Sequence, residues 1–255
     1  TVFLGVFFIK IGADLGWVII SFLLSYLIVF CVFVSLLKKA DLFFKPVWDK
    51  EFMFACLSRS WPFAFFLIIG VFYLRLSVVM VGLIEGPEAS GIYGSSYKFI
   101  EALILVPQSI ALALFPIISR LFLDDKLRLK RIYLKSLAFL LVLSFPIFLV
   151  FRFLPELIIN FSYGERYLGA VVVYPVFSLA IILFFLNSLP GNIIQSSEKP
   201  QKFLPFSIAN VLLTLILCLI LIPRYSIVGA AWSVFGGELF GLIVNNLYVR
   251  KLLRN

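Results

Sequence analysis

The 255-residue sequence contains no histidine. That removes the commonest metal ligand and the commonest general base at neutral pH. Cysteine is nearly absent too. Cys31, Cys56 and Cys218 are scattered, odd in number, and match no metal-site spacing. They read as small apolar residues. There is no Walker loop, no G-x-G-x-x-G turn and no Ser/His or Cys/His arrangement. The sequence therefore assigns no catalytic residue, no metal and no cofactor, and it reads as a non-enzyme. Charge is scarce as well: 14% of residues, against about 25% in a soluble domain. The few paired carboxylates have plain explanations. Glu85 and Glu88 flank Gly86-Pro87, a turn, and Asp124 and Asp125 sit among Lys and Arg.

Apolar residues take up what is left. They make up 63% of the chain, Phe alone occurs 30 times, and the mean hydropathy is +1.12. One soluble core could not absorb this, so the chain reads as an all-α polytopic membrane protein, because helices satisfy their own backbone in lipid. A spanning helix needs about 20 mostly apolar residues. Seven complete runs qualify: Leu15–Leu37, Trp61–Ile84, Ile92–Ser119, Ile132–Leu154, Leu168–Leu189, Phe203–Ile222 and Ile227–Leu247. Thr1–Ile9 reads as the end of an eighth, and the chain as part of a longer product.

The net charge is +9. In a soluble protein that balance would suggest nucleic acid, but there is no basic patch interleaved with aromatics. Membrane proteins concentrate Lys and Arg in cytoplasmic loops. One set of loops holds sixteen basic residues, in the groups Lys38–Arg59, Arg120–Lys135, Lys199–Lys202 and Arg250–Arg254, and the opposite set holds only Lys10, Arg166 and Arg224. The first set is read as cytoplasmic. Membrane lipid, not nucleic acid, is the expected surroundings. The segment Asp124–Lys135 reads either as a short amphipathic helix on the headgroups or as a charged loop. Pro107, Pro116, Pro146 and Pro175 fall within spans and read either as static kinks or as moving hinges.

Some charges remain inside spans. Arg75 lies within Trp61–Ile84, and Lys98 and Glu101 lie within the next run. A cation near the bilayer centre costs at least about 2.5–3.5 kcal/mol by insertion scales, so such groups face protein, water or a charged ligand. Arg75 has no acid at i±3 or i±4, and its partner is Glu101, Glu238 or the ligand itself. Lys98 and Glu101 are three apart and share a helix face. They form either a locking ion pair or a cavity lysine tuned by its neighbour. Tyr93, Tyr97, Glu101 and Gln108 follow roughly helical spacing and are expected to extend one polar stripe. Arg75, Lys98, Glu101, Tyr97 and Gln108 are thus the candidate cavity residues. A basic interior suits an anionic cargo, and Arg suits phosphate because its fork binds bidentately. Gly236, Gly237 and Gly241 around Glu238 read as a close helix-packing seam with one polar tie. Arg152, near a span end, is expected to snorkel.

The stretch from Tyr73 to Arg120 carries a resemblance. It has Arg75 in an aromatic-Arg-apolar helix, then Gly91 and Tyr93 at a turn, then Glu101, Pro107 and Pro116, ending at Ser119-Arg120. A second stretch holds Asn210, Ile222-Pro223, Gly229-Ala230-Ala231 and Glu238. In order and spacing these motifs resemble the polysaccharide transporter family. Its members are the O-antigen (Wzx-like) flippases of the multidrug/oligosaccharidyl-lipid/polysaccharide exporter superfamily. Ser77 departs from the Asp of many members, and Ser226 from the usual Gly before Ile227.

The resemblance implies two six-helix lobes flanking a central cavity. On that frame residues 1–37 are the end of one span and the last helix of the first lobe, and 38–60 are a cytoplasmic linker. Residues 61–247 are the second lobe and 248–255 a cytoplasmic tail, with the rest of the first lobe as the missing partner. The implied function is moving a polyprenyl-diphosphate-linked oligosaccharide across the inner membrane by alternating access. The alternatives are a drug or ion-coupled exporter of related fold and a membrane-embedded glycosyltransferase or ligase.

Overall fold

The computed structural model describes residues 15–40, 48–197 and 199–254. Every regular element among them is helical. Thr1–Ile9, read as the end of an eighth span, lies outside the described residues. The chain divides into two compact units, Thr1–Ala55 and Cys56–Asn255.

The first unit holds α1, Leu15–Lys39. Its serines return their hydroxyls to the helix: Ser25 Oγ donates to the Ser21 carbonyl and Ser35 Oγ to that of Cys31. Lys38 and Lys39 in the last turn complement the negative end of the helix dipole.

Helix α2, Lys50–Glu85, starts earlier than the span read from hydropathy, and half of the expected linker is helical. The Asp49 side chain accepts from the Phe52 amide at 3.0 Å, so a cap, not the apolar run, sets the start. The chain then turns at Gly86, with φ 94°, where a left-handed backbone favours glycine. Pro87 opens α3, Pro87–Asp124, at a position where its missing N–H has no helical partner to lose.

Helix α3 runs unbroken through Pro107 and Pro116, and α4, Lys126–Phe153, through Pro146. Asp125 separates the two helices and caps α4 by accepting from the Arg128 amide at 2.8 Å. Asp124–Lys135 is therefore neither a headgroup-lying helix of its own nor a loop. From Lys126 it is the first turns of α4.

The span expected over Leu168–Leu189 is composite. After α5, Pro155–Tyr163, and a turn at Gly164 with φ 79°, the chain forms a 3₁₀ segment, Glu165–Val173. Helix α6, Tyr174–Asn187, follows, and then the short α7, Pro190–Gln195. Pro175 sits in the first turn of α6 and has no N–H with which to carry an α-helical ladder back across the junction.

Helix α6 is apolar all round, and such a helix is buried. Tyr174, Phe177, Ala180, Ile181 and Phe185 are each at most 1% exposed, so α6 is the core of the second unit. It packs chiefly on α4 and on the last helix, α8, Leu204–Arg254. Cross-links fix the neighbours: Tyr133 Oη donates to Asn246 Oδ1 at 2.7 Å, and Asn192 Nδ2 donates to the Ala111 carbonyl.

Six segments among the described residues are long and apolar enough to cross a membrane. The last, Pro200–Arg254, has 55 residues, far more than the about 20 one crossing needs. It breaks at Ser226, with φ 53° and ψ −138°, and the contacts beyond the break show a fold-back. A Cβ on Gly236 would meet Leu217, one on Gly237 would meet Thr214, and one on Gly241 would touch Asn210. These pairs close like rungs on one turn, so α8 is an antiparallel hairpin. Large apolar side chains point outward from the helices, Leu83, Leu112 and Leu123 among them.

Ser226 is the only non-glycine residue with positive φ among the described residues. Such a conformation costs a non-glycine residue about 1–3 kcal/mol. Ser226→Gly is therefore expected to raise thermal stability in detergent, read as the temperature at which half the protein aggregates. A lowered value would mean that the Ser226 hydroxyl bond to Glu85 outweighs the strain.

Candidate functional site

Two polar groupings occur in the apolar helices of the second unit, one at its surface and one buried. The first joins α2 and α3. Arg75 Nη1 and Lys98 Nζ each bind one oxygen of Glu101, both at 2.7 Å. The acceptor of Arg75 comes from the next helix, one of the partners its sequence context leaves open. Glu101 is 19% exposed, and the two cations are 55% and 56% exposed. One carboxylate shared by two cations leaves the group with one net positive charge. The close approach of the helices allows this: Ser90 Oγ donates to the Val78 carbonyl at 3.1 Å, and a Cβ on Gly82 would stand 3.3 Å from Ser90 Oγ.

The structure divides the polar stripe expected along α3. Tyr93 and Tyr97 are in the core, stacked on each other at 5.8 Å and both against Phe177. Glu101 is half-buried and Gln108 is exposed. Steps of four residues drift about 40° each on a helix of 3.6 residues per turn, so the stripe spirals from the core to the surface. Tyr97 therefore does not share the exposed face of Arg75 and Lys98. Gln108, seven residues beyond Glu101, turns back by about 20° and projects between Tyr97 and Glu101.

The second grouping centres on Glu238 in α8, 5% exposed. Asn187 Nδ2 donates to its Oε2 at 2.7 Å and to its carbonyl at 2.8 Å. Asn245 Nδ2 donates in turn to Asn187 Oδ1 at 3.1 Å. The Tyr73 hydroxyl is buried beside the same carboxylate. Glu238 is more than a single polar tie, because it anchors a network drawn from α2, α6 and the second arm of the α8 hairpin. Sequence reasoning missed Tyr73, Asn187 and Asn245. Amides inside apolar runs are the signal that marks the two asparagines, since such groups are costly in a span. Arg152 borders a separate surface pocket with Glu156 and Asn160.

Gly237 makes this network possible. A Cβ there would strike Thr214 Oγ1 and come within 2.8 Å of Tyr73 Oη. A Cβ on Gly236 would be 2.7 Å from Leu217, whereas Gly241 has ordinary room, with its nearest atoms at 3.5 Å. Overpacking a tight site costs about 1–3 kcal/mol. Gly237→Leu is expected to lower the detergent melting temperature, and a milder Gly241→Ala to leave it nearly unchanged. Equal melting of Gly237→Leu and the parent protein would show that the seam opens at no cost.

Residues 1–172 match the model of a family described as polysaccharide biosynthesis proteins. The chain belongs to that family. Its six long apolar segments make it a multi-pass membrane protein. The Tyr73–Arg120 motifs resembling O-antigen flippases agree with this membership.

Curated relatives are distant. A Shigella flexneri protein named as a candidate O-antigen transporter is 26% identical over 160 residues, covering 61% of this chain and 37% of its own length. A Haloferax volcanii protein named as a candidate low-salt glycan biosynthesis flippase is 24% identical over 163 residues, covering 64% and 34%. An uncharacterized membrane protein of Methanocaldococcus jannaschii is 25% identical over 121 residues, covering 48% and 24%. The chain thus spans about a quarter to somewhat over a third of the length of these relatives. No solved structure matches it.

Proposed function

We propose that this family member works in a flippase that moves a polyprenyl-diphosphate-linked oligosaccharide across the inner membrane by alternating access. In this reading the two arms of α8 cross separately, so the chain contributes seven complete crossings. Those from α2 onward form one six-helix lobe of a two-lobe transporter. The observation that carries the reading is the Arg75–Glu101–Lys98 group. Two cations inside apolar spans are each more than half exposed while sharing a single carboxylate. Lipid does not solvate such a group. A water-filled cavity with an anionic cargo does, and the net positive charge attracts a diphosphate. The names of the Shigella and Haloferax relatives point to the same cargo class.

A drug or ion-coupled exporter is the competing reading, favoured by the buried acid Glu238. Proteoliposomes separate the two. A fluorescent polyprenyl-diphosphate oligosaccharide, distributed over both leaflets, is exposed to an impermeant quencher. With the protein produced from its native gene, quenching is expected to pass the outer-leaflet share and approach completion. Quenching that stops at the outer leaflet, in vesicles where the purified protein is folded, would sink the flippase reading.

A further inference from the structure

A pocket of about 220 Å³ opens beside the Glu238 network, between α2, α7 and the α8 hairpin. It is smaller than the about 300–1,000 Å³ of sites for drug-sized ligands and suits a single ring. None of the described residues lining it is charged. Its polar groups are the neutral side chains Tyr73, Gln195, Ser207, Asn210 and Asn245. Its apolar walls are aromatic, with Phe66, Phe203, Phe206 and Phe240 on the lining. Gly70, Gly191 and Gly241 supply the room.

One of the polar atoms is unpaired. Asn210 Oδ1 is buried and has no hydrogen-bond partner. An unsatisfied buried polar group costs about 1–3 kcal/mol and needs an explanation. The amide oxygen is an acceptor, and an alcohol hydroxyl donates to it. A cation would find no carboxylate in the lining, and an anion no Lys or Arg. A lipid tail would leave five polar side chains dry.

We propose that this pocket is a sugar subsite that holds one uncharged pyranose ring of the cargo. Amides and the phenol take the ring hydroxyls, and Phe faces take its C–H surface. The inference rests on the flippase reading for its biological ligand, but not for its test.

The test is saturation-transfer NMR on the purified protein in detergent-free nanodiscs, with methyl glycosides of glucose, galactose, mannose and N-acetylglucosamine as probes. At least one glycoside is expected to receive saturation at millimolar concentration. Two variants are expected to remove the signal. Asn210→Leu deletes the unpaired acceptor. Gly191→Leu is chosen to plug the pocket, at a position where a Cβ meets nothing within 4 Å. The melting temperature of Gly191→Leu should match the parent. No saturation of any glycoside, or saturation that survives Gly191→Leu, overturns the proposal. So does a sodium-over-choline rise in melting temperature that Gly191→Leu abolishes, which would make the pocket a cation site. Transport in the quenching assay is read separately, so a sugar subsite that fails leaves the flippase reading standing, and the converse holds too.

Discussion

Gly229→Ala is expected to be the most damaging conservative substitution in the chain. A Cβ on Gly229 would collide with the Leu221 carbonyl group and stand 2.9 Å from the Ile222 amide nitrogen. These are backbone atoms of the opposing arm of the hairpin, so no rotamer change relieves the clash. Small-to-large changes in packed sites cost about 1–3 kcal/mol, more where nothing can move. The arms must separate or the turn at Ser226 must distort. Either displaces Glu238 and Asn210, which sit on the two arms. The expected result is loss of monodisperse protein in detergent, measured by fluorescence-detected size exclusion. Gly70→Ala is the control, because a Cβ there meets nothing within 4 Å. If Gly229→Ala and Gly70→Ala elute alike, the hairpin is looser than its geometry implies.

Arg75→Ala and Lys98→Ala are each expected to reduce surface polysaccharide at least tenfold, about 1.4 kcal/mol in a rate, with protein levels unchanged. The cells must depend on this protein, expressed from its native gene. Arg75→Lys should restore activity only in part, since an ammonium lacks the bidentate fork. The shared carboxylate supplies the discriminating variant. Glu101→Gln keeps both cations and removes the anion that occupies them. If the cations serve an anionic cargo, Glu101→Gln retains transport better than either alanine variant. If they only tie α2 to α3, Glu101→Gln cuts both ties at once and is as harmful as Arg75→Ala, with protein level falling in parallel. Equal polysaccharide in all variants would remove these residues from the cargo path altogether.

Much of this architecture is local and therefore legible. Composition alone gives a helical membrane protein, because a chain so apolar has few other ways to satisfy its backbone in lipid. The costs of Arg75, Lys98 and Glu101 are also local, and the i,i+3 relation of the last two already places them on one face. Glycines around Glu238 mark close packing in the same way. Hydropathy does not see caps or dihedral strain. It misses the Asp49 cap that starts α2 and the Asp125 cap that makes Lys126–Lys135 part of α4. It also reads Leu168–Leu189 as one helix, although its first turns are 3₁₀.

What the sequence determined by itself is the solvent the chain lives in, the helical periodicity of its spans and the presence of costly ions within them. All three follow from side-chain chemistry within a window of about 20 residues. Only the tertiary structure decided which groups meet. It sends Tyr97 to the core and Glu101 outward, because four-residue steps drift against the 3.6-residue turn. It brings Arg75 to Glu101 across a helix boundary, and Tyr73, Asn187, Asn210 and Asn245 to the surroundings of Glu238. Asn245 apart, these partners are separated by more than twenty positions. Their encounter depends on how α2, α6 and the two arms of α8 pack, which no local pattern encodes.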